Sequence, residues 1–236
     1  MQSNESVKLT NLRLLQFVAT KLGNMRNEFV FLGGCTTGLF IDDPDFHDVR
    51  YTLDVDCIVD VISLGQYQKL EKKLSELGFK RSLTETVICR WFYDDVILDV
   101  MPTDEKILGF GNRWYKNAIK YAINYDISDS LQIKIISAPY FLATKLEAFK
   151  TRGKMDFYAS HDFEDIVSVM DGRMAITDEI ARTDEILRDY LIESFIEINN
   201  SNAFRGALPG YFVQYGGLAE HRANMLENKI KNIIGV

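Results

Sequence analysis

Residues 50–60 read RYTLDVDCIVD, and the fold turns on what this stretch is. Taken as a β-strand, it puts Leu53, Val55, Cys57, Val59 and Val61 on one apolar face, because strand side chains alternate with period two. Asp54 and Asp56 then point together to the opposite face. Two neighbouring carboxylates repel each other and suit a strand poorly. A divalent cation offsets that cost, since hard cations gather carboxylate oxygens. An exposed edge strand carrying two solvated acids is the competing reading.

Upstream, residues 11–22 (NLRLLQFVATKL) have helical apolar spacing and end at Gly23. Residues 29–32 form a short apolar run stopped by Gly33 and Gly34, and CTTGLF after them reads as the opening turns of a helix. Residues 41–49 (IDDPDFHDV) are acidic and loop-like, without EF-hand spacing. Downstream, residues 64–77 have helical spacing and close at Gly78. Residues 86–93 and 96–101 read as a hairpin turned at Asp94 and Asp95, with Asp99 interrupting the apolar VILDVM. Residues 114–127 and 131–136 are weaker strand candidates. From Ala138 the pattern is helical, through YFLATKLEAFKTR, DFEDIVSVM, residues 178–198 and HRANMLENKIKNII. The expected organisation is an α/β domain with a mixed β-sheet over residues 1–137 and a C-terminal α-helical domain over 138–236.

At 236 residues, 47% hydrophobic and 26% charged, the chain is long enough for one large domain or two small ones and has globular composition. No run reaches the roughly 18 apolar residues that span a bilayer, and MQSNESVKLT lacks a signal pattern, so no membrane partner and a cytoplasmic location are expected. Cys35, Cys57 and Cys89 show no CxxC spacing and read as small buried thiols. Three histidines make a zinc site improbable. A net charge of −7 argues against nonspecific nucleic-acid binding through the whole surface.

A strand, a double-glycine turn, a helix, a DxD strand and a later strand with one Asp form an ordered set. Gly33 and Gly34 lack Cβ atoms, so their N–H groups can approach a triphosphate, and a following helix would turn its positive end to the same anion. Asp54, Asp56 and Asp99 can hold one or two Mg²⁺ ions that bridge phosphates and activate an acceptor hydroxyl.

With FLGG (31–34), RYTLDVD (50–56) and Asp99 in place, the chain resembles the nucleotidyltransferase superfamily of the DNA polymerase β type. More narrowly it is similar to the AbiEii/AbiGii-type nucleotidyltransferases, toxins of bacterial abortive-infection and toxin–antitoxin pairs. KLEAFKTR (145–152) and HDFEDI (161–166) extend the resemblance to about residue 173. The superfamily's turn is usually Gly-Ser; here it is Gly-Gly, with Thr36 or Thr37 as substitute hydroxyls. The resemblance implies a polymerase β-like α/β domain, completed at the active-site cleft by the helical domain. It also implies transfer of an NMP from an NTP to an acceptor hydroxyl, with Mg²⁺ or Mn²⁺ as cofactor. Asp54, Asp56 and Asp99 would bind metal and act in catalysis with Lys145. Gly33, Gly34, Thr36, Thr37, Arg50, Thr52, Lys145, Arg152, Asp162 and Asp165 would surround the nucleotide. The acceptor would be RNA, such as the 3′ end of tRNA, or a protein, and an antitoxin protein would be a partner. The alternative is a catalytically degenerate fold that binds a nucleotide or a protein.

The helical motif has its own physical reading. Lys145 lies on a stripe with Phe141, Ala148 and Arg152 at spacings of three and four, where an anion or simple snorkelling would satisfy its charge. Asp162 and Asp165 share a face after Ser160, as acids that complement a helix dipole. His161-Asp162 does not make an HD-type phosphohydrolase, because His47 and His221 are poorly placed as further ligands. An RNA acceptor requires a local basic surface, for which Arg113, Lys116, Lys120, Lys150, Arg152, Lys154, Arg222, Lys229 and Lys231 are the candidates.

Overall fold

The computed structural model describes residues 7–46, 49–82 and 87–236. The chain divides into two compact units, Met1–Gly38 with Arg50–Ser137, and Leu39–Val49 with Ala138–Val236. The division after Ser137 coincides with the change from mixed to helical patterning. The acidic segment 39–49, placed with the α/β domain by sequence order, belongs to the helical unit. The reason is backbone pairing: Asp42 and Asp43 both donate their N–H groups to the Gly172 carbonyl, at 3.1 and 3.0 Å. His47 and Thr86 lie outside the described residues.

In the first unit, α1 (Val7–Leu22) buries Leu15, Val18, Ala19 and Leu22 and packs on the sheet. A 3₁₀ turn leads into β1 (Phe29–Leu32), whose four residues are all buried. A six-residue 3₁₀ helix (Gly34–Leu39) follows, then β2 (Asp54–Val59). α2 (Leu64–Glu76) is capped by Ser63, whose side chain accepts from the Gln66 N–H. β3 (Arg90–Tyr93) and β4 (Val96–Pro102) form the expected hairpin, with Asp94 at φ 52° in the two-residue turn. α3 (Tyr115–Lys120) precedes β5 (Ile123–Ser128) and β6 (Leu131–Ile135).

Among the described residues these strands make one mixed six-stranded sheet in the order β3-β4-β2-β1-β6-β5. β2 pairs parallel with β4 and antiparallel with β1. It is therefore an interior strand, and the edge-strand reading of its acids is removed. Leu53 lies before the strand and is 64% exposed, so the apolar face begins at Val55 rather than Leu53. Residues 114–127, expected as strand, are helix in their first half. Trp114 and Ala118, four residues apart, are both buried there, and the Asn112 side chain accepts from the Trp114 N–H to start the turn. Aromatic residues that favour strands locally were overruled by that helical burial.

The second unit is helical. α4 (Ala138–Thr151) buries ten of its residues, from Ala138 through Leu146 and again Phe149, with Pro139 tolerated in the first turn. α5 (His161–Gly172) is capped by Ser160. The stretch 178–198, expected as one helix, is α6 (Ile176–Ala181) and α7 (Glu185–Asn199). Asp184 interrupts them and caps α7, accepting from the Leu187 N–H. α8 (Asn202–Ala207), a 3₁₀ stretch (Leu208–Leu218) and α9 (Ala219–Ile234) complete it. Phe149, Phe157, Phe163, Phe204 and Tyr211 pack as mostly edge-on or tilted rings at 4.8–6.0 Å. No helix among the described residues is long and apolar enough to cross a membrane.

Candidate active site

The chemistry of the first unit concentrates on one face of three neighbouring strands. Asp54 and Asp56 sit two residues apart on β2, both half-buried. Asp56 pairs in register with Asp99 of β4 on one side and with Leu32 of β1 on the other. Partners in register share a face, so Asp99 stands beside Asp56. One strand further, Arg90 pairs in register with Asp99. The Thr52 hydroxyl donates to Asp54 Oδ1 at 2.6 Å and holds that carboxylate.

The double glycine closes the face against β2. Gly33 has φ +79°, and a Cβ there would lie 2.6 Å from Asp56 Cγ. A Cβ on Gly34 would lie 3.0 Å from Arg50 Cζ. Gly33 is therefore needed at this φ beside the Asp56 side chain, whereas a Cβ on Gly34 would meet only the mobile end of the Arg50 side chain. The following helix is six residues of 3₁₀, too short to carry the dipole expected of it. The two threonines also differ from expectation. Thr36 and Thr37 are fully buried, and the Thr36 hydroxyl donates to the Gly33 carbonyl at 2.9 Å. They shape the turn and present no hydroxyl surface to a phosphate.

Arg90, which sequence reasoning passed over, is the main cation of this face. Its Nε donates to Asp99 Oδ1 at 2.9 Å and its Nη2 to Asp99 Oδ2 at 2.7 Å, a two-pronged pair. The same Nη2 reaches Asp54 Oδ2 at 3.5 Å. Asp99 is only 6% exposed. The signal was present in the sequence. A two-residue turn at Asp94–Asp95 fixes the register, and counting back from it sets Arg90 opposite Asp99. Next to Arg90, burial, then the charges of Asp99 and Asp56, push the Cys89 thiol up to about 12. Cys35 and Cys57 are likewise raised, chiefly by burial, so all three stay protonated and unreactive.

The donor chemistry of this face can be compared with a hard divalent cation. Asp54 and Asp56 offer carboxylate oxygens from one face of one strand, which suits an ion that takes one or two carboxylates and fills its other positions with water or phosphate oxygens. Both Asp99 oxygens already accept from Arg90. No group of three or more His, Cys, Asp or Glu among the described residues is arranged to hold a metal.

The helical unit carries the other candidates. Lys145 Nζ lies 3.1 Å from Asp162 Oδ1 and 2.7 Å from Asp165 Oδ2, and all three side chains are at most 8% exposed. Arg152 grips Asp162 with two hydrogen bonds of 2.9 and 2.8 Å. Burial favours the neutral form of Asp162, but the hydrogen bonds and charges of Arg152 and Lys145 outweigh it and hold its carboxyl down to about 2. Lys145 is thus neither a snorkelling lysine nor one awaiting an anion; α5 supplies its anions. His161 is exposed and contacts Glu164.

The basic residues suggested for RNA are partly committed within the same unit. Arg222 bonds Asp171 and Asp43, and Lys229 donates to the carbonyls of Met170, Asp171 and Arg173 at the end of α5. Lys150 pairs with Glu197 at 2.9 Å.

No family model matches the chain, and no curated protein matches it. Among solved structures, the chain is similar to an antigenic nucleotidyltransferase-like protein from Paracoccidioides brasiliensis, with 18% identity and a TM-score of 0.44 over 94% of each chain. That likeness assigns no residue of this protein.

Proposed function

We propose that this protein is a divalent-metal-dependent nucleotidyltransferase that moves an NMP from an NTP to an acceptor hydroxyl. One observation carries the reading: Asp54, Asp56 and Asp99 share one face of adjacent interior strands, with Gly33 left bare of Cβ against Asp56. In the reaction the acceptor oxygen forms a bond to the α-phosphorus, the bond to pyrophosphate breaks, and the acceptor proton is lost. Mg²⁺ or Mn²⁺, when bound, would neutralise phosphate charge and polarise the reacting phosphorus. Asp54 and Asp56 would hold it. Thr52 fixes the Asp54 carboxylate, Gly33 gives Asp56 its space, and Arg90 sets the orientation of Asp99. Arg50, over Gly34, is a cation for the anionic substrate. The AbiEii/AbiGii likeness extends the reading to a toxin with an antitoxin partner and an RNA or protein acceptor.

A second reading, a degenerate fold that binds without catalysis, is favoured by the ion pair that already neutralises part of the acidic face. Transfer of label from each α-labelled NTP, with Mg²⁺ and a mixed RNA and protein extract, separates them. Catalysis requires a labelled acceptor that disappears in Asp54→Asn and Asp56→Asn. Wild-type labelling in either variant refutes the metal assignment. No labelling together with intact NTP binding supports the degenerate reading.

A further inference from the structure

We infer that Arg90 is the resident cation of the acidic face, withholding Asp99 from metal and limiting the site to one divalent ion. The inference rests on the proposed metal-binding role of Asp54 and Asp56 and specifies how many ions that site takes. Arg90 engages both oxygens of Asp99 with a guanidinium fork, the geometry in which arginine binds carboxylate most firmly. Its Nη2 also faces Asp54 Oδ2 at 3.5 Å, so the guanidinium stands between the two carboxylates that a bridging second ion would need. The pair is sheltered: the Arg90 side chain is 21% exposed and that of Asp99 9%.

The strand holds Arg90 in this place. Cys89 and Trp91 on either side of it are buried, the Val100 N–H donates to the Cys89 carbonyl at 2.9 Å, and the tight turn fixes the register. Sliding β3 by one residue would turn Trp91 out of the core. A second divalent ion at Asp99 would have to displace the guanidinium or sit against it, and like charges at such short range repel strongly in a partly buried setting.

The test is Mn²⁺ binding to the full chain without nucleotide, with free Mn²⁺ followed by electron paramagnetic resonance. Wild type is expected to bind one Mn²⁺, and Asp54→Asn to lose it. Asp99→Asn leaves the Arg90 guanidinium unneutralised 3.5 Å from Asp54 Oδ2, so Mn²⁺ affinity should fall although Asp99 is no ligand. Arg90→Met should bind a second Mn²⁺, and Arg90→Met with Asp99→Asn should return to one. An Arg90→Met chain that folds by circular dichroism and still binds a single ion overturns the inference while the Asp54 and Asp56 reading survives. Two ions on wild type would do the same. No Mn²⁺ on wild type, or undiminished binding in Asp54→Asn, overturns both.

Discussion

Replacing Lys145 by Met probes the interior of the helical unit most directly. The substitution keeps length and apolar stem but removes the ammonium between Asp162 and Asp165. Asp165, with its side chain 1% exposed, loses a partner at 2.7 Å, while Asp162 keeps its two hydrogen bonds from Arg152. Breaking a buried pair on one side costs ~3–5 kcal/mol. Because Arg152 still serves one of the two acids, the lower end, about 3 kcal/mol, is expected. Urea unfolding at neutral pH, followed by circular dichroism, measures it. Adding Asp165→Asn to Lys145→Met should restore much of the loss, since removing both partners is far milder than removing one, and the coupling in that cycle should reach about 2 kcal/mol. Moderate salt should leave the loss nearly unchanged, as buried pairs are poorly screened. A loss below about 1 kcal/mol, typical of surface pairs, or no coupling to Asp165, would refute the argument. A lysine reserved for a nucleotide would instead change affinity and leave stability almost intact.

Two further outcomes follow from the same geometry. Asp162, lowered from 3.8 to about 2, contributes stability that is fully present above pH 3.8 and is lost as pH falls through about 2. At 1.36 kcal/mol per pKa unit this amounts to about 2 kcal/mol. The stability gap between wild type and Asp162→Asn should close by that amount as pH falls through this window, and parallel pH curves in acid titrations would contradict it. Gly33→Ala imposes a side chain at φ +79° and 2.6 Å from Asp56 Cγ, so a loss of about 1–3 kcal/mol is expected. Thermal melting should fall, and Mn²⁺ affinity with it as Asp56 shifts; unchanged values of both would show that the turn relaxes freely.

Local patterning carried much of this fold. The strand at 29–32, the Asp54–Val59 strand, the helix from Leu64, the hairpin and the helical second half were legible because period, turn residues and caps act over a few residues. The pairing of Asp54 with Asp56 on one face needed only the strand's alternation. What sequence order concealed was who meets whom. Lys145 and its acids are 17 and 20 residues apart, separated by a helix end and a loop, so the sequence set the stripe but not the partner across it. Residues 39–49 left their neighbours for the end of α5 because a carbonyl at Gly172 needed donors. Arg90 meets Asp99 only once β3 folds back on β4. The DxD strand announced a negative face; only strand order and register decided which cation answers it, because charges couple through space rather than along the chain.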